Sequence, residues 1–252
     1  MTNLQNDAKT QAALQRSASR AGVVSVFMLA AASIALGTTL ATSHDTSVQA
    51  ILLFGSKALL FLAVALAWLV RSLPEHLPHH RIGPANAVTL GRLIIVALLV
   101  GLLGQTQAFV QWLAWALGMT CLVLDGVDGW LARRGNWSTP FGAKLDMETD
   151  ALLILLLSLL VWQFDKAGLW IVLAGLTRYG FVLAGKQLPW LRQPLPESFR
   201  RKLICVVQAA SLLIALLPTV SPGISSIIAL TGLIALAVSF GLDTVYLYRR
   251  RS

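Results

Sequence analysis

Apolar runs near or above the length that crosses a bilayer recur along almost the whole chain, separated by short polar punctuation. They predict helices at about 21–41, 50–70, 87–104, 108–126, 145–163, 168–185, 203–219 and 224–246. Only helices and closed barrels satisfy their backbone inside lipid, so the pattern predicts an all-α, polytopic membrane helix bundle. The run at 50–70 is the least regular, because Lys57 stands inside it. A polar break, RSLPEHLPHHRIGPA at 71–85, holds three prolines and three histidines and reads as a loop. It divides the chain into residues 1–80, a polar leader with two accessory spans, and residues 81–252, a six-helix remainder. His76, His79 and His80 have only a weak metal-ligand spacing and read as part of a solvated surface loop. A second interruption, QLPWLRQPLPESFRRK at 187–202, mixes proline, tryptophan and basic residues, as a segment lying along the headgroups would.

Charge adds an orientation. The 252 residues carry a formal net charge of +9 with only 12% charged residues, and the cations collect in alternate connections. Lys9, Arg16 and Arg20, then Arg71 and Arg81, Arg133 to Lys144, Lys186 to Lys202, and Arg249 to Arg251 fall on one side. The intervening loops at 42–49, 105–107, 164–167 and 220–223 hold a single lysine. This positive-inside pattern places both termini in the cytoplasm, and it accounts for the basic balance without nucleic acid. The protein is thereby expected in a membrane, and in a bacterium in the inner one. Cys121 and Cys205 have no metal or redox spacing and read as small buried hydrophobes. The first apolar run is long for a signal peptide and reads as an uncleaved span.

Against this background one stretch is expensive. Five of the eleven acidic residues fall within DGVDGWLARRGNWSTPFGAKLDMETD, residues 125–150, at the cytoplasmic mouth of two predicted helices. A charge inside a span costs roughly 2.5–3.5 kcal/mol on insertion scales, so the cluster calls for a compensating ligand. Asp125 and Asp128 are spaced i, i+3 and share a helix face, continued by Gly129 and Ala132. Asp146 and Asp150 are spaced i, i+4 on the next helix, with Gly142 one turn earlier, while Glu148 points off that face. Neighbouring carboxylates stay ionised together only when cations neutralise them, and hard oxygen ligands suit Mg²⁺ or Mn²⁺. The small residues leave room for close approach, and Arg133 offers a fixed cation to phosphate. The set suits a substrate containing a diphosphate.

The stretch resembles the signature of the CDP-alcohol phosphotransferase (phosphatidyltransferase) family, D-x2-D-G-x2-A-R-x8-G-x3-D-x3-D. All eight fixed positions match: Asp125, Asp128, Gly129, Ala132, Arg133, Gly142, Asp146 and Asp150. Residues 81–252 are also similar to the six-helix membrane core of that family, with residues 1–80 outside the resemblance. The resemblance implies that Asp125, Asp128, Asp146 and Asp150 hold two Mg²⁺ or Mn²⁺ ions and that Asp150 is the catalytic base. It implies that Gly129, Ala132, Arg133 and Gly142 cradle CDP, joined by Asn86 and Thr89 from an N-x2-T pattern; a helix start capped by Asn86 is the structural alternative. Arg92, close by, stands between such a contact and an arginine that snorkels from a span end. The implied reaction is phosphatidyl transfer from a CDP-alcohol lipid, with CDP-diacylglycerol as the expected donor, to a small polar alcohol, with release of CMP. The resemblance further implies a homodimer.

The acceptor is not legible. A phosphorylated acceptor requires further cations, for which Arg134, Lys144, Arg178, Arg200, Arg201 and Lys202 are candidates, with Arg178 notable for interrupting an apolar helix. SFRRKLICVVQ matches a family G-K-x-K-T stretch only at Lys202 and Gln208. Glycerol 3-phosphate, serine, inositol or its phosphate, and choline all remain open. Two other classes share the aspartates: a cation transporter, disfavoured by Arg133 and the glycines, and an intramembrane prenyltransferase, whose aspartates lie on distant helices.

Overall fold

The computed structural model describes residues 48–72, 84–134, 139–193, 195–196 and 198–250. The expected span at 21–41 and the histidine loop lie outside these residues. Seven α-helices are present among them: α1 Val48–Ser72, α2 Pro84–Leu102, α3 Ala108–Arg134, α4 Pro140–Gln163, α5 Val172–Gln187, α6 Phe199–Leu216 and α7 Pro222–Arg249. Helices α2 to α7 fall where six were expected after residue 81, and α1 falls where the second span was expected before it. The protein is an all-α membrane helix bundle.

Its helices are inside-out in composition, which is how lipid shows itself. On α7 the exposed positions are large and apolar: Ile224, Ile227, Leu230, Ile234, Val238, Leu242 and Val245. The buried face of the same helix is mostly small or polar, with Ser225, Ala229, Gly232 and Ser239 among its members. Small residues at helix contacts and apolar side chains outward is the pattern of association within a bilayer, where burying leucine gains nothing over leaving it in lipid. Ala108–Leu131, Leu169–Gln187 and Pro222–Arg249 are long and apolar enough to span a membrane. The apolar parts of α1 and α2, Leu52–Trp68 and Asn86–Leu102, are shorter. Helices α4 and α6 spend their first turns on charged residues: Lys144 to Asp150 on the former, Arg200 to Lys202 on the latter.

The chain packs as two compact units, Met1–Leu102 with Val123–Thr149, and Leu103–Leu122 with Asp150–Ser252. In the first, Phe54, Ala58 and Leu62 form the buried stripe of α1 at helical spacing. Gly101 of α2 admits the Phe54 ring, since a β-carbon there would stand 2.6 Å from it. Thr139 starts α4: its hydroxyl oxygen accepts from the Gly142 N–H at 2.9 Å, and Pro140 takes the first helical position.

In the second unit the polar atoms secure helix ends. Gln163, the last residue of α4, accepts from the Gly104 N–H at 2.6 Å and donates to the Gln105 carbonyl at 2.6 Å. Gly104 turns with φ 84°, a conformation open to glycine at little cost. Beyond the C-terminal end of α6, Lys166 donates to the carbonyls of Pro218 (3.3 Å) and Val220 (2.5 Å). This is the one lysine in the otherwise cation-free loops, and it is buried; desolvation lowers its pKa. Helices α6 and α7 meet closely where Gly232 lies against Gln208 and Ser211. At their other ends Arg200 donates to Ser239 Oγ (2.7 Å), the Ser239 carbonyl (3.0 Å) and Asp243 (2.5 Å). Cys121 is buried and Cys205 half-buried.

Candidate active site

The site in the first unit is built from α2, α3 and α4. Helix α3 carries Asp125 and Asp128 one turn apart, α4 carries Asp146, and each offers a carboxylate oxygen within 4.8 Å of the other two. Among the described residues, neither Glu148 nor Asp150 is in this group. Asp150 follows Asp146 by four residues on α4, is half-buried, and belongs to the second unit.

Arg92 stands at the centre of the three. It is fully buried, and its Nη1 lies 2.9 Å from Asp125 Oδ1, 2.8 Å from Asp128 Oδ2 and 2.6 Å from Asp146 Oδ1. A snorkelling arginine would have left its guanidinium in the headgroups; here three carboxylates draw it inward instead. One nitrogen with two hydrogens faces three acceptors, and one positive charge faces three formally negative groups. The donor set is all hard oxygen and, among the described residues, exceeds the charge of its cationic partner Arg92. That chemistry fits a divalent metal ion.

Helix α2 contributes two further residues at successive turns before Arg92. The Thr89 hydroxyl, buried, donates to Asp128 Oδ2 at 3.1 Å, sharing that oxygen with Arg92. Asn86, also buried, lies against Gly142: a β-carbon on the glycine would come 2.6 Å from Asn86 Oδ1 and 3.1 Å from Thr139 Oγ1. The N-x2-T pattern and the aspartate signature, distant in sequence, therefore meet in one unit. Gly129 is half-buried on α3. Ala132 and Arg133 continue α3, but their side chains lie outside the described residues.

The cations considered for a phosphorylated acceptor fall in different settings. Arg134 is exposed with its guanidinium 5.0 Å from the Trp130 ring centre. Lys144 is exposed with its ammonium 5.5 Å from the ring of Trp68 on α1. In the second unit Arg178 is half-buried within α5, and Lys202 is exposed in the first turn of α6. Arg200 and Arg201 are engaged structurally: the first with Ser239 and Asp243, the second with the Pro196 carbonyl and, at 3.8 Å, Asp243. Asp243 went unremarked in the sequence because no spacing ties it to the signature.

The profile of the CDP-alcohol phosphatidyltransferase family matches residues 82–241, which spans the whole triad and α2. The chain belongs to this family. Sequences from two strains of Mycobacterium tuberculosis, each named "Probable phosphatidylglycerophosphate synthase", are 30% identical over 167 residues, covering 64% of this chain and 79% of theirs. A Pseudomonas fluorescens protein named CDP-diacylglycerol–glycerol-3-phosphate 3-phosphatidyltransferase is 31% identical over 88 residues, covering 35% of this chain and 45% of its own. No solved structure matches. As a CDP-alcohol phosphatidyltransferase, the protein is a membrane transferase of phospholipid synthesis, moving a phosphatidyl group from a CDP-alcohol donor to an alcohol. Membership sets aside the transporter and prenyltransferase readings.

Proposed function

We propose that the protein makes phosphatidylglycerophosphate from CDP-diacylglycerol and glycerol 3-phosphate, with Mg²⁺ or Mn²⁺, at the cytoplasmic face of a bacterial inner membrane. The convergence of Asp125, Asp128 and Asp146 around a single point carries the metal part of this reading. The acceptor rests on the names of the relatives, which match over 167 and 88 residues. The cation asymmetry of the loops supports the orientation.

In this reading the glycerol 3-phosphate hydroxyl attacks the phosphorus that bears the diacylglycerol. A P–O bond forms to the acceptor, the P–O bond to CMP breaks, and CMP leaves with the electron pair. Asp150, by its place in the signature, takes the hydroxyl proton. Asp125, Asp128, Asp146 and Asp150 would hold two divalent ions, whose chemistry there is to neutralise phosphate charge and stabilise the departing oxygen. Gly129, Ala132 and Gly142 leave space for the cytidine diphosphate backbone, Arg133 meets phosphate, and Asn86 and Thr89 line the nucleotide side. Arg134, Lys144, Arg178 and Lys202 are the cations we propose for the acceptor phosphate. The enzyme works as a homodimer, as the resemblance implies. Most of the catalytic gain would come from positioning and charge neutralisation.

The test is CMP release by the purified protein in detergent, with CDP-diacylglycerol, Mn²⁺ or Mg²⁺, and glycerol 3-phosphate, serine, inositol, inositol phosphate or choline in turn. Release with glycerol 3-phosphate alone is expected, abolished by chelation. Release driven by another acceptor would overturn the acceptor assignment, and release unaffected by chelation would overturn the metal.

A further inference from the structure

We infer that Arg92 is a built-in counter-cation for the aspartate triad, which a divalent ion must displace from the carboxylates in order to bind. The inference rests on the metal reading above and concerns what this chain's own residues do toward that ion.

Three observations carry it. First, Arg92 Nη1 contacts one oxygen from each of Asp125, Asp128 and Asp146, at 2.6–2.9 Å, so it occupies the point on which the oxygens converge. Second, the guanidinium is fully buried while Asp128 is also buried, so neither charge can turn to bulk solvent for compensation. Removing one partner of a buried charge set is costly, and Arg92 is the partner that keeps the triad intact when no metal is bound. Third, Thr89 holds Asp128 Oδ2 from the preceding turn of α2. Asp128 therefore keeps a fixed donor if Arg92 withdraws, and the triad need not collapse when the cations exchange.

A guanidinium and a divalent ion seek the same oxygens and repel each other at contact distance. The triad thus holds one or the other on these atoms. The apparent metal affinity is lowered by the fraction of molecules in which Arg92 occupies the site. Arginine cannot escape this competition by losing its proton, since it stays charged in proteins. The metal has to win by its higher charge.

The experiment is direct Mn²⁺ binding to the full chain in detergent, read from the loss of the free-ion electron paramagnetic resonance signal, with no lipid substrate present. Wild type, R92Q, R92K and D146N are compared. R92Q should bind Mn²⁺ about tenfold or more tightly than wild type, and R92K, which keeps a charge but not the planar fork, should fall between them. Equal or weaker binding by R92Q, with wild-type binding intact and lost in D146N, overturns the inference and leaves the metal reading standing. No Mn²⁺ binding by wild type overturns both. An R92Q protein that folds only when Mn²⁺ is supplied supports the inference, because the metal then replaces the missing charge. If R92Q cannot be folded even with Mn²⁺, R92K decides alone: affinity at or below wild type overturns the inference.

Discussion

Asn86 of α2 and Gly142 of α4 stand so close that a β-carbon on the glycine would lie 2.6 Å from the asparagine side-chain oxygen. Gly142→Ala must therefore push the Asn86 amide aside or shift the first turn of α4, where the Gly142 N–H is held by Thr139. If this junction faces the nucleotide, the Michaelis constant for the CDP-lipid should rise about tenfold with a smaller change in kcat, as loss of uniform binding does. Steady-state kinetics with varied donor at saturating acceptor measures it. An unchanged constant would remove Gly142 from the nucleotide site.

Thr89 donates to the same Asp128 oxygen that Arg92 approaches. Thr89→Val keeps the shape and deletes the hydroxyl, leaving a buried carboxylate short of one donor at a cost of about 1–3 kcal/mol. We expect a lower thermal midpoint in detergent and kcat/KM reduced about tenfold or more. Thr89→Ser should restore most of both, since it returns the hydroxyl.

Asp146 is the carboxylate that α4 contributes to the triad, and Asp150 is the base proposed above from its place in the signature. Asp146→Asn and Asp150→Asn should each abolish CMP release while leaving an inserted, helical protein. Wild-type-like release from both would refute the assignment. The two should differ in Mn²⁺ binding before chemistry: Asp146→Asn removes a triad charge, so its loss of affinity should be the more severe.

Asp243 joins the first turn of α6 to α7, accepting from Arg200 at 2.5 Å. Asp243→Ala leaves that guanidinium with Ser239 alone among the described residues and should destabilise the α6–α7 pair by about 1–3 kcal/mol. The thermal midpoint should fall, while specific activity at low temperature stays near wild type. A large loss of activity without loss of stability would instead place Arg200 in acceptor binding.

Much of this protein was legible in its sequence, because the relevant information is local. Apolar runs located α2 to α7, since a bilayer demands continuous hydrophobicity along a segment. The spacings of Asp125 with Asp128 and of Asp146 with Asp150 defined shared faces, since helical periodicity fixes them within a few residues. Pairings between helices are another matter, because they depend on which faces bury against one another. Arg92 could have snorkelled from a span end, and only the meeting of α2 with α3 and α4 put three carboxylates within its reach. Arg200 looked free to bind an acceptor until α7 brought Asp243 against it. Lys166, an exception to the loop charge rule, proved to be buried against the carbonyls beyond α6. In each case the sequence determined that a charge was present, and the tertiary structure decided its partner. The reason is physical: a charge in an apolar chain is tolerated wherever a counter-charge or carbonyl reaches it, and that reach is set by packing.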